Sequence, residues 1–245
     1  MRLAIRRFDP ATDPEPHWAV YEVELGPRQT VLDGLLRVAD EQDPTLAFRR
    51  MCRSGICGAC AAVVNGRPVL TCQTLCQAAA ASPAPPDPGR PAAELVLEPL
   101  PHFRVLRDLV VDIQPFLEGL ARLQAWLVPR EDFSGVVPRE QAERLWGVAP
   151  CVLCGICAAW GSPPGVGPWV DAATAHPAAV ARALRMAADP RDLLGPARLS
   201  VFRELGLLAP HVARWLREVC PKGVDIEPLV QGLGLARGME GARAS

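Results

Sequence analysis

The sequence is short of lysine, tyrosine and long apolar runs. Lys222 is the only lysine, so nearly all of the 26 basic residues are arginines, and the chain has 1 tyrosine. The formal net charge of −1 gives no electrostatic case for nucleic-acid binding. No stretch approaches the roughly 20 consecutive apolar residues that a membrane-spanning helix needs, so we expect none.

The amino-terminal stretch MRLAIRRFDP has arginines but no apolar run behind them. It is therefore a poor secretory signal, and we expect a cytoplasmic chain, or one held at the cytoplasmic face of a membrane by a partner that spans it. No His/Asp/Ser or paired-carboxylate constellation indicates chemistry on an organic substrate, so no catalytic residue is assigned.

Cysteine is plentiful and clustered. The 9 cysteines are Cys52, Cys57, Cys60, Cys72, Cys76, Cys151, Cys154, Cys157 and Cys220. An odd number without an export signal argues against a disulfide framework. In a reducing compartment such clusters usually bind metal.

The two halves of the chain differ in their patterning. The segments LAIRRFD, WAVYEVEL and ELVLEPL read as strands, and Asn65-Gly66 is a favoured two-residue hairpin turn. Thr30 is an N-cap candidate for a helix that begins at Val31. The Pro/Ala-rich residues 78–94 are expected to be an irregular solvated loop, or alternatively a loop that docks a partner.

From about residue 104 the apolar residues recur at intervals of three and four, which predicts helices. The segments with this pattern are VLRDLVVDIQPFLEGLARLQAWL, AAVARALRMAADPRD and SVFRELGLLAPHVARWLREVC. We therefore predict an α+β chain with two domains, residues 1–103 and residues 104–245.

The first cysteine set predicts a [2Fe–2S] site. Cys52, Cys57 and Cys60 have the C-x4-C-x2-C spacing of plant-type clusters, and Cys72 follows the hairpin. Gly55 and Gly58 leave room for backbone N–H groups to point at the sulfurs. A four-cysteine zinc site is the minor alternative, because zinc prefers C-x2–4-C pairs with a longer gap.

Near this set three arginines, Arg49, Arg50 and Arg53, form either a partner contact or a solvated face. Arg53 would raise the cluster's reduction potential if it faced the sulfurs. Cys76 is left over, as a spare ligand or a small semi-buried thiol.

The second set predicts a [4Fe–4S] site. Cys151, Cys154 and Cys157 repeat the first three positions of the C-x2-C-x2-C-x3-C-P motif, but Gly161 occupies the fourth. In two-cluster ferredoxins that fourth cysteine serves the other cluster, and Cys220-Pro221 can supply the remote ligand. Zinc is again the minor alternative.

These motifs, in this order, resemble the iron–sulfur subunit of succinate dehydrogenase and fumarate reductase. The similar segments run from EQDPTLAFRRMCRSGICGACAAVVNGRPVLTC through EPLPHFRVLRDLVVD and CVLCGIC to CPKG. The resemblance implies a β-grasp ferredoxin-like first domain and an all-α, ferredoxin-type second domain. It also implies a hetero-oligomer in which electrons pass between a flavoprotein subunit carrying FAD and a membrane-anchor or other acceptor subunit.

The chain departs from the family at a third cluster. The family carries a [3Fe–4S] cluster whose cysteines should fall near Gly161, Pro210 and Leu216, and all three are absent. His211 stands where the family tends to carry a quinone-side histidine, or it is an ordinary surface histidine. We therefore expect two clusters, one [2Fe–2S] and one [4Fe–4S], and no [3Fe–4S].

Three functions follow from these features. The first is a two-cluster relay in a succinate dehydrogenase or fumarate reductase-like complex. The second is the same relay serving a different dehydrogenase or hydrogenase-like partner, with quinone not the direct acceptor. The third is a zinc-stabilised interaction protein that descends from such a subunit.

Overall fold

The computed structural model describes residues 1–133, 135–161, 176–204 and 210–233. The chain divides into two compact units, which we call unit 1 and unit 2. Unit 1 is Met1–Ile113 with Val152–Trp160, and unit 2 is Gln114–Cys151 with Gly161–Ser245. A sheet lies in the amino-terminal part and helices follow, which confirms the mixed α and β class. The boundary between residues 103 and 104 stays a prediction.

Unit 1 is built on a five-stranded sheet with the order β2-β1-β5-β3-β4. The strands are β1 (Arg2–Arg7), β2 (His17–Glu22), β3 (Ala61–Val64), β4 (Arg67–Leu70) and β5 (Leu95–Glu98). β1 and β5 are parallel, and the other pairs are antiparallel. The interior strand β1, between β2 and β5, buries Leu3, Ala4 and Ile5 completely, which explains its apolar run.

The predicted hairpin turn is confirmed. Asn65 and Gly66 join β3 to β4, and both have positive φ, 49° and 78°, as a type I′ turn requires. The buried Asn65 amide donates to the carbonyl oxygens of Ala79, Ser82 and Glu94, and its oxygen accepts from Val96 N–H. One turn residue thus fixes the hairpin against the chain that leads into β5.

The helix predicted at Val31 is also confirmed. Helix α1 (Val31–Arg37) begins at Thr30, whose hydroxyl accepts from Asp33 N–H while the Asp33 carboxylate accepts from Thr30 N–H. This reciprocal pair satisfies two of the free N–H groups at the helix start. A single π-helical turn, Val38–Gln42, continues α1.

The Pro/Ala-rich residues 78–94 are irregular only in part. Helix α2 (Cys76–Ala80) extends into them, so the expectation of no regular structure is wrong for residues 78–80. Residues 81–94 contain turns and bends but no helix or strand. Prolines interrupt regular hydrogen bonding from Pro83 onward.

The prediction of a helix that begins near residue 105 is wrong for its first residues. Residues 105–111 form a two-stranded ribbon, β6 (Val105–Arg107) and β7 (Val110–Val111), and helix α3 begins only at Gln114. The turn residue Asp108 has φ +46°, which no right-handed helix allows. Its buried carboxylate accepts from the N–H groups of Phe8 and Ala47, so tertiary contacts override the helical spacing.

The described residues of unit 2 are mostly helical, as predicted. The helices are α3 (Gln114–Arg122), α4 (Arg139–Trp146), α6 (Pro177–Ala188), α7 (Gly195–Glu204), α8 (Pro210–Val219) and α9 (Glu227–Gly232), while the short helix α5 (Ile156–Ala159) belongs to unit 1. The pattern over residues 200–220 corresponds to parts of α7 and α8, with residues 205–209 outside the described residues. No helix in the described ranges is long and apolar enough to cross a membrane.

A buried cation stabilises unit 1 at the ribbon. The Arg7 guanidinium donates to Asp108 Oδ1 through Nε at 2.9 Å, to Asp43 and to the Tyr21 hydroxyl. Burial alone would lower the pKa of Arg7, but the hydrogen bonds to Asp108 and Asp43 outweigh it and raise that pKa. Desolvation and the hydrogen bond to Asp43 raise the pKa of Tyr21 to about 12.

Removing the charge of Asp108 should therefore destabilise unit 1 strongly. We expect Asp108→Asn to lower the free energy of unfolding by about 3 kcal/mol, because Arg7 loses a buried partner. Urea unfolding of the anaerobically purified protein measures this. Asp132→Asn, which removes the exposed partner of Arg130, is the control and should cost less than about 1 kcal/mol. Equal losses in both variants would contradict the assignment.

A buried histidine begins helix α6. His176 Nδ1 accepts from Ala179 N–H at 3.2 Å, Nε2–H donates to Phe116 O at 2.6 Å, and the ring stacks on Phe116 at 4.0 Å. Both contacts together require the neutral imidazole. Burial lowers the pKa of His176 to about 4.

This histidine predicts a loss of stability in mild acid. Between pH 6.5 and 4 the unfolded chain binds a proton at His176 that the folded chain does not, so stability falls as the pH falls. The slope should approach roughly 1 kcal/mol per pH unit. His176→Asn keeps an N-cap acceptor but cannot titrate, so its unfolding free energy between pH 7 and 5 should vary less. Identical pH profiles of the two proteins would rule this out.

Candidate metal centres

The first cysteine loop is wrapped around the Cys52 sulfur. The backbone N–H groups of Ser54, Ile56 and Cys57 donate to Cys52 Sγ at 3.3–3.4 Å. Positive φ at Arg53 (56°) and Gly55 (67°) turns these groups inward. The hydrogen bonds, from Ser54 and Ile56 above all, lower the pKa of Cys52 to about 6, so the loop favours a thiolate at neutral pH.

Cys60 and Cys72 form the buried side of the same set. Cys60 precedes β3 and Cys72 follows β4, so the hairpin brings them together. Each side chain is 6% exposed, and burial raises the pKa of the Cys60 thiol. Thr71 holds this end of the hairpin, since its hydroxyl donates to Cys60 O at 2.9 Å.

Across the described ranges, no three His, Cys, Asp or Glu side chains are grouped closely enough to hold a metal ion. The first set is therefore brought together as two pairs, Cys52 with Cys57 and Cys60 with Cys72. All 9 cysteines are described, and none forms a disulfide.

The second cysteine motif packs against the first loop within unit 1. A Cβ added to Gly58 (φ +72°) would lie 2.7 Å from Val152 O and 2.9 Å from Cys154 Cα. Positive φ at Leu153 (54°) and Gly155 (78°) turns the chain into helix α5. This approach of two motifs over 90 residues apart in the sequence has no signal in the cysteine spacing.

An apolar cluster joins the same two motifs. Ile156, which is fully buried, packs in one cluster with Cys60 and Cys72, and Cys154 contacts that cluster from its edge. The remaining buried members are Leu32, Leu36, Leu70, Leu100, Val111 and Ala159. This apolar cluster excludes water from the region between the pair Cys60 and Cys72 and the second cysteine motif.

The second set is divided between the units. Cys154 and Cys157 belong to unit 1, and Cys151 and Cys220 belong to unit 2. Cys151 O accepts a hydrogen bond from Arg182 at 3.2 Å, a contact that the sequence analysis missed. Arg182 lies on α6, 31 residues further along the chain, so the cysteine motif itself carries no sign of it.

The structure describes, in part, the three positions at which the resemblance leads us to expect further cysteines. Gly161 has φ +81°, a conformation that a cysteine would rarely adopt, and the Leu216 side chain is 3% exposed within unit 2. Pro210 and His211 are the first two residues of α8, and their side chains lie outside the described part. Leu216 fills its position with an apolar side chain that is no metal ligand.

Cys76 and the arginines have clear surroundings. Cys76 is fully buried in the core beneath the sheet, and desolvation raises the pKa of its thiol to about 11, so it behaves as an apolar core residue. Arg50 lies over the Phe48 ring at 5.3 Å. Arg53 is exposed between Met51 and Ile56, which are 77% and 70% exposed.

The residues of the first loop fit an iron–sulfur group. With Cys72 they provide four thiols in two pairs. The Cys52 thiol favours the thiolate form, and three backbone N–H groups donate to its sulfur. Such donors and thiolates are what iron–sulfur clusters require of a protein. The second set fits an iron–sulfur cluster by the chemistry of its donors. It offers four cysteine thiols, three of them with the C-x2-C-x2-C spacing of ferredoxin motifs.

The comparisons with known proteins first define the class. Residues 2–118 match the model of a 2Fe-2S iron-sulfur cluster binding domain. The particular family then follows from relatives that align with almost the whole chain. The protein belongs to the family of iron–sulfur subunits of succinate dehydrogenase and fumarate reductase.

Two relatives illustrate this membership. The mitochondrial succinate dehydrogenase [ubiquinone] iron-sulfur subunit 1 of Oryza sativa subsp. japonica is 35% identical over 234 residues, covering 91% of this chain and 77% of its own. The fumarate reductase iron-sulfur subunit of Haemophilus influenzae is 30% identical over 241 residues, covering 92% and 88%. These relatives are subunits of oxidoreductase complexes, which agrees with an electron-transfer subunit.

A solved structure supports the same fold. A chain of the Mycobacterium smegmatis Sdh1 complex in the apo form superposes with a TM-score of 0.75 at 25% identity. The superposition covers 96% of this chain and 93% of that chain.

The close approach at Gly58 predicts an unusually costly substitution. Gly58→Ala adds a Cβ against the fixed Val152 carbonyl oxygen as well as straining a positive φ. Gly223→Ala is the matched control, because Gly223 has φ +62° and nothing within 4 Å of an added Cβ. We expect the control to lose about 1 kcal/mol and Gly58→Ala at least about 2 kcal/mol more. Thermal unfolding with iron analysis measures both, and equal losses would argue against the contact.

Proposed function

We propose that the chain is the electron-transfer subunit of a succinate dehydrogenase or fumarate reductase-like complex. Its first cluster is [2Fe–2S], held by Cys52, Cys57, Cys60 and Cys72. Its second is [4Fe–4S], held by Cys151, Cys154, Cys157 and Cys220. The subunit joins a flavoprotein subunit carrying FAD to a membrane or soluble acceptor, so the assembly is a hetero-oligomer. It lies at the cytoplasmic face of the membrane through its partners.

The contact between the two motifs is the observation that carries this proposal. The Gly58 loop and the Cys154 segment meet at van der Waals distance, and they share the apolar cluster around Ile156. Electron transfer falls steeply with distance, so two redox groups held by these motifs would exchange electrons efficiently. When bound, each cluster supplies a one-electron carrier that changes oxidation state with little movement of its ligands.

The residues of this chain hold and tune those carriers. Backbone N–H groups at Ser54, Ile56 and Cys57 stabilise negative charge on Cys52 Sγ. The apolar cluster excludes water from Cys60 and Cys72, which lowers the local dielectric. The exposed Met51, Arg53 and Ile56 surround the Cys52 loop and form a surface on which a partner can dock.

The proposed architecture follows the family. Residues 1–103 form a β-grasp, ferredoxin-like domain, and residues 104–245 form a helical, ferredoxin-type domain. We further propose that no [3Fe–4S] cluster is present, because Gly161, Pro210 and Leu216 offer no thiolate.

A second candidate changes the partners and keeps the relay. Loss of the third ligand set removes the cluster that stands beside quinone in the family. The chain would then serve a different dehydrogenase or hydrogenase-like partner, or reduce a soluble acceptor. Purification of the subunit with its partners separates the two candidate functions. A co-purifying flavoprotein that lets succinate reduce the clusters favours the succinate dehydrogenase or fumarate reductase-like complex, and the absence of such a flavoprotein favours the second candidate.

The cluster content can be measured directly. Anaerobically purified protein should contain about six irons per chain, two plus four by the ligand count. EPR should show reduced signals from both clusters and no oxidised [3Fe–4S] signal. Cys57→Ser should weaken the [2Fe–2S] signal alone, and Cys76→Ala, outside both sets, should leave both signals.

Three results would overturn this assignment. About nine irons, or an oxidised [3Fe–4S] signal, would mean that other ligands rebuild the third site. Equal loss of both clusters in Cys57→Ser would contradict the two independent sets. A colourless protein loaded with zinc would replace the relay with a structural role.

A further inference from the structure

Helix α6 brings an arginine to the backbone of the second cysteine motif. Arg182 Nη2 donates to Cys151 O at 3.2 Å. Its Nε is buried and has no hydrogen-bond partner among the described residues. The guanidinium therefore stands beside the first cysteine of the motif with part of its donor capacity unused.

The charge of Arg182 is also unbalanced. Elsewhere in unit 2 the buried Arg198 pairs with Asp192 and the exposed Arg191 pairs with Asp189, whereas Arg185 resembles Arg182 in having a buried Nε without a hydrogen-bond partner. None of the ion pairs among the described residues of unit 2 includes Arg182. A partly buried cation without a counter-charge is costly, so a negatively charged group at Cys151 would offset that cost.

We propose that Arg182 is a positioning residue that raises the reduction potential of the second cluster through its positive charge. The inference rests on the proposed [4Fe–4S] site at Cys151, Cys154, Cys157 and Cys220. It adds a tuning residue that lies outside every cysteine motif.

The physical basis is the charge that reduction adds. A cluster held by these cysteines would take up one electron from its donor with no ligand bond broken and no proton required, so the site would gain one negative charge. A fixed cation near Cys151 favours that reduced state, and the partly buried setting limits screening by water. Arg182 also holds the Cys151 carbonyl oxygen, which keeps the guanidinium at a constant distance from this ligand.

Charge and hydrogen bonding can be separated by substitution. Arg182→Gln keeps a donor for Cys151 O but removes the charge, whereas Arg182→Lys keeps the charge without the planar fork. Arg182→Met is a second neutral variant that preserves much of the aliphatic stem. Arg139→Gln, which alters an exposed arginine paired with Glu143, is the matched control.

The experiment is an EPR-monitored redox titration of the anaerobically purified holoprotein. At a fixed potential we expect the reduced-to-oxidised ratio of the second cluster to fall about tenfold in Arg182→Gln and Arg182→Met. For a one-electron couple this is a shift of about 59 mV to lower potential. Arg182→Lys and Arg139→Gln should stay within about twofold of the unmodified protein. The [2Fe–2S] signal in each sample is the internal reference.

Several outcomes would overturn the inference. Unchanged potentials in Arg182→Gln and Arg182→Met would show that the charge does not reach the cluster. Equal shifts in Arg182→Gln and Arg182→Lys would assign the effect to hydrogen-bond geometry. Absence of a reduced [4Fe–4S] signal from the unmodified protein would instead reject the proposed cluster, and the inference with it.

Discussion

The close approach of Gly58 to the Val152–Cys154 backbone is the constraint on which the proposed relay depends. Only a residue without a side chain allows the first cysteine loop and the second motif to touch at that point. Ile156 then extends the contact into the apolar cluster that buries Cys60 and Cys72. Ordinary packing thus brings the two cysteine motifs together, although more than 90 residues separate Gly58 from Val152 in the sequence.

Each cysteine environment has a different physical character. The Cys52 sulfur is stabilised as a thiolate by backbone N–H groups, whereas burial raises the pKa values of Cys60 and Cys76. Iron ligation overcomes such burial by removing the proton outright. Cys76 has no neighbouring thiol and belongs to the core beneath the sheet, so the ninth cysteine contributes to packing.

Electrostatics inside the protein follow a similar division. Arg7 and Arg198 are buried with carboxylate partners. Arg7 joins β1 to Asp108 of the ribbon, and Arg198 also donates to the distant carbonyl oxygens of Gln124 and Trp126. Arg182 has no carboxylate partner among the described residues, and it donates to Cys151 O in the second cysteine motif. Because Gly161, Pro210 and Leu216 offer no thiolate, the proposed second cluster would be the last carrier on this chain, and its potential would matter more.

The sequence alone determined the elements whose signals are local. Cysteine spacing indicated both sets, Asn65-Gly66 the hairpin, and Thr30 the helix start, because each depends on residues a few positions apart. The tertiary structure decided what depends on distant partners. Residues 105–111 form a ribbon because the buried Asp108 carboxylate accepts hydrogen bonds from the N–H groups of Phe8 and Ala47. Tertiary packing also brings Gly58 against the backbone of Cys154, and Arg182 into a hydrogen bond with Cys151 O. Such contacts join segments 31 to about 100 residues apart, a range over which periodicity and spacing carry no information.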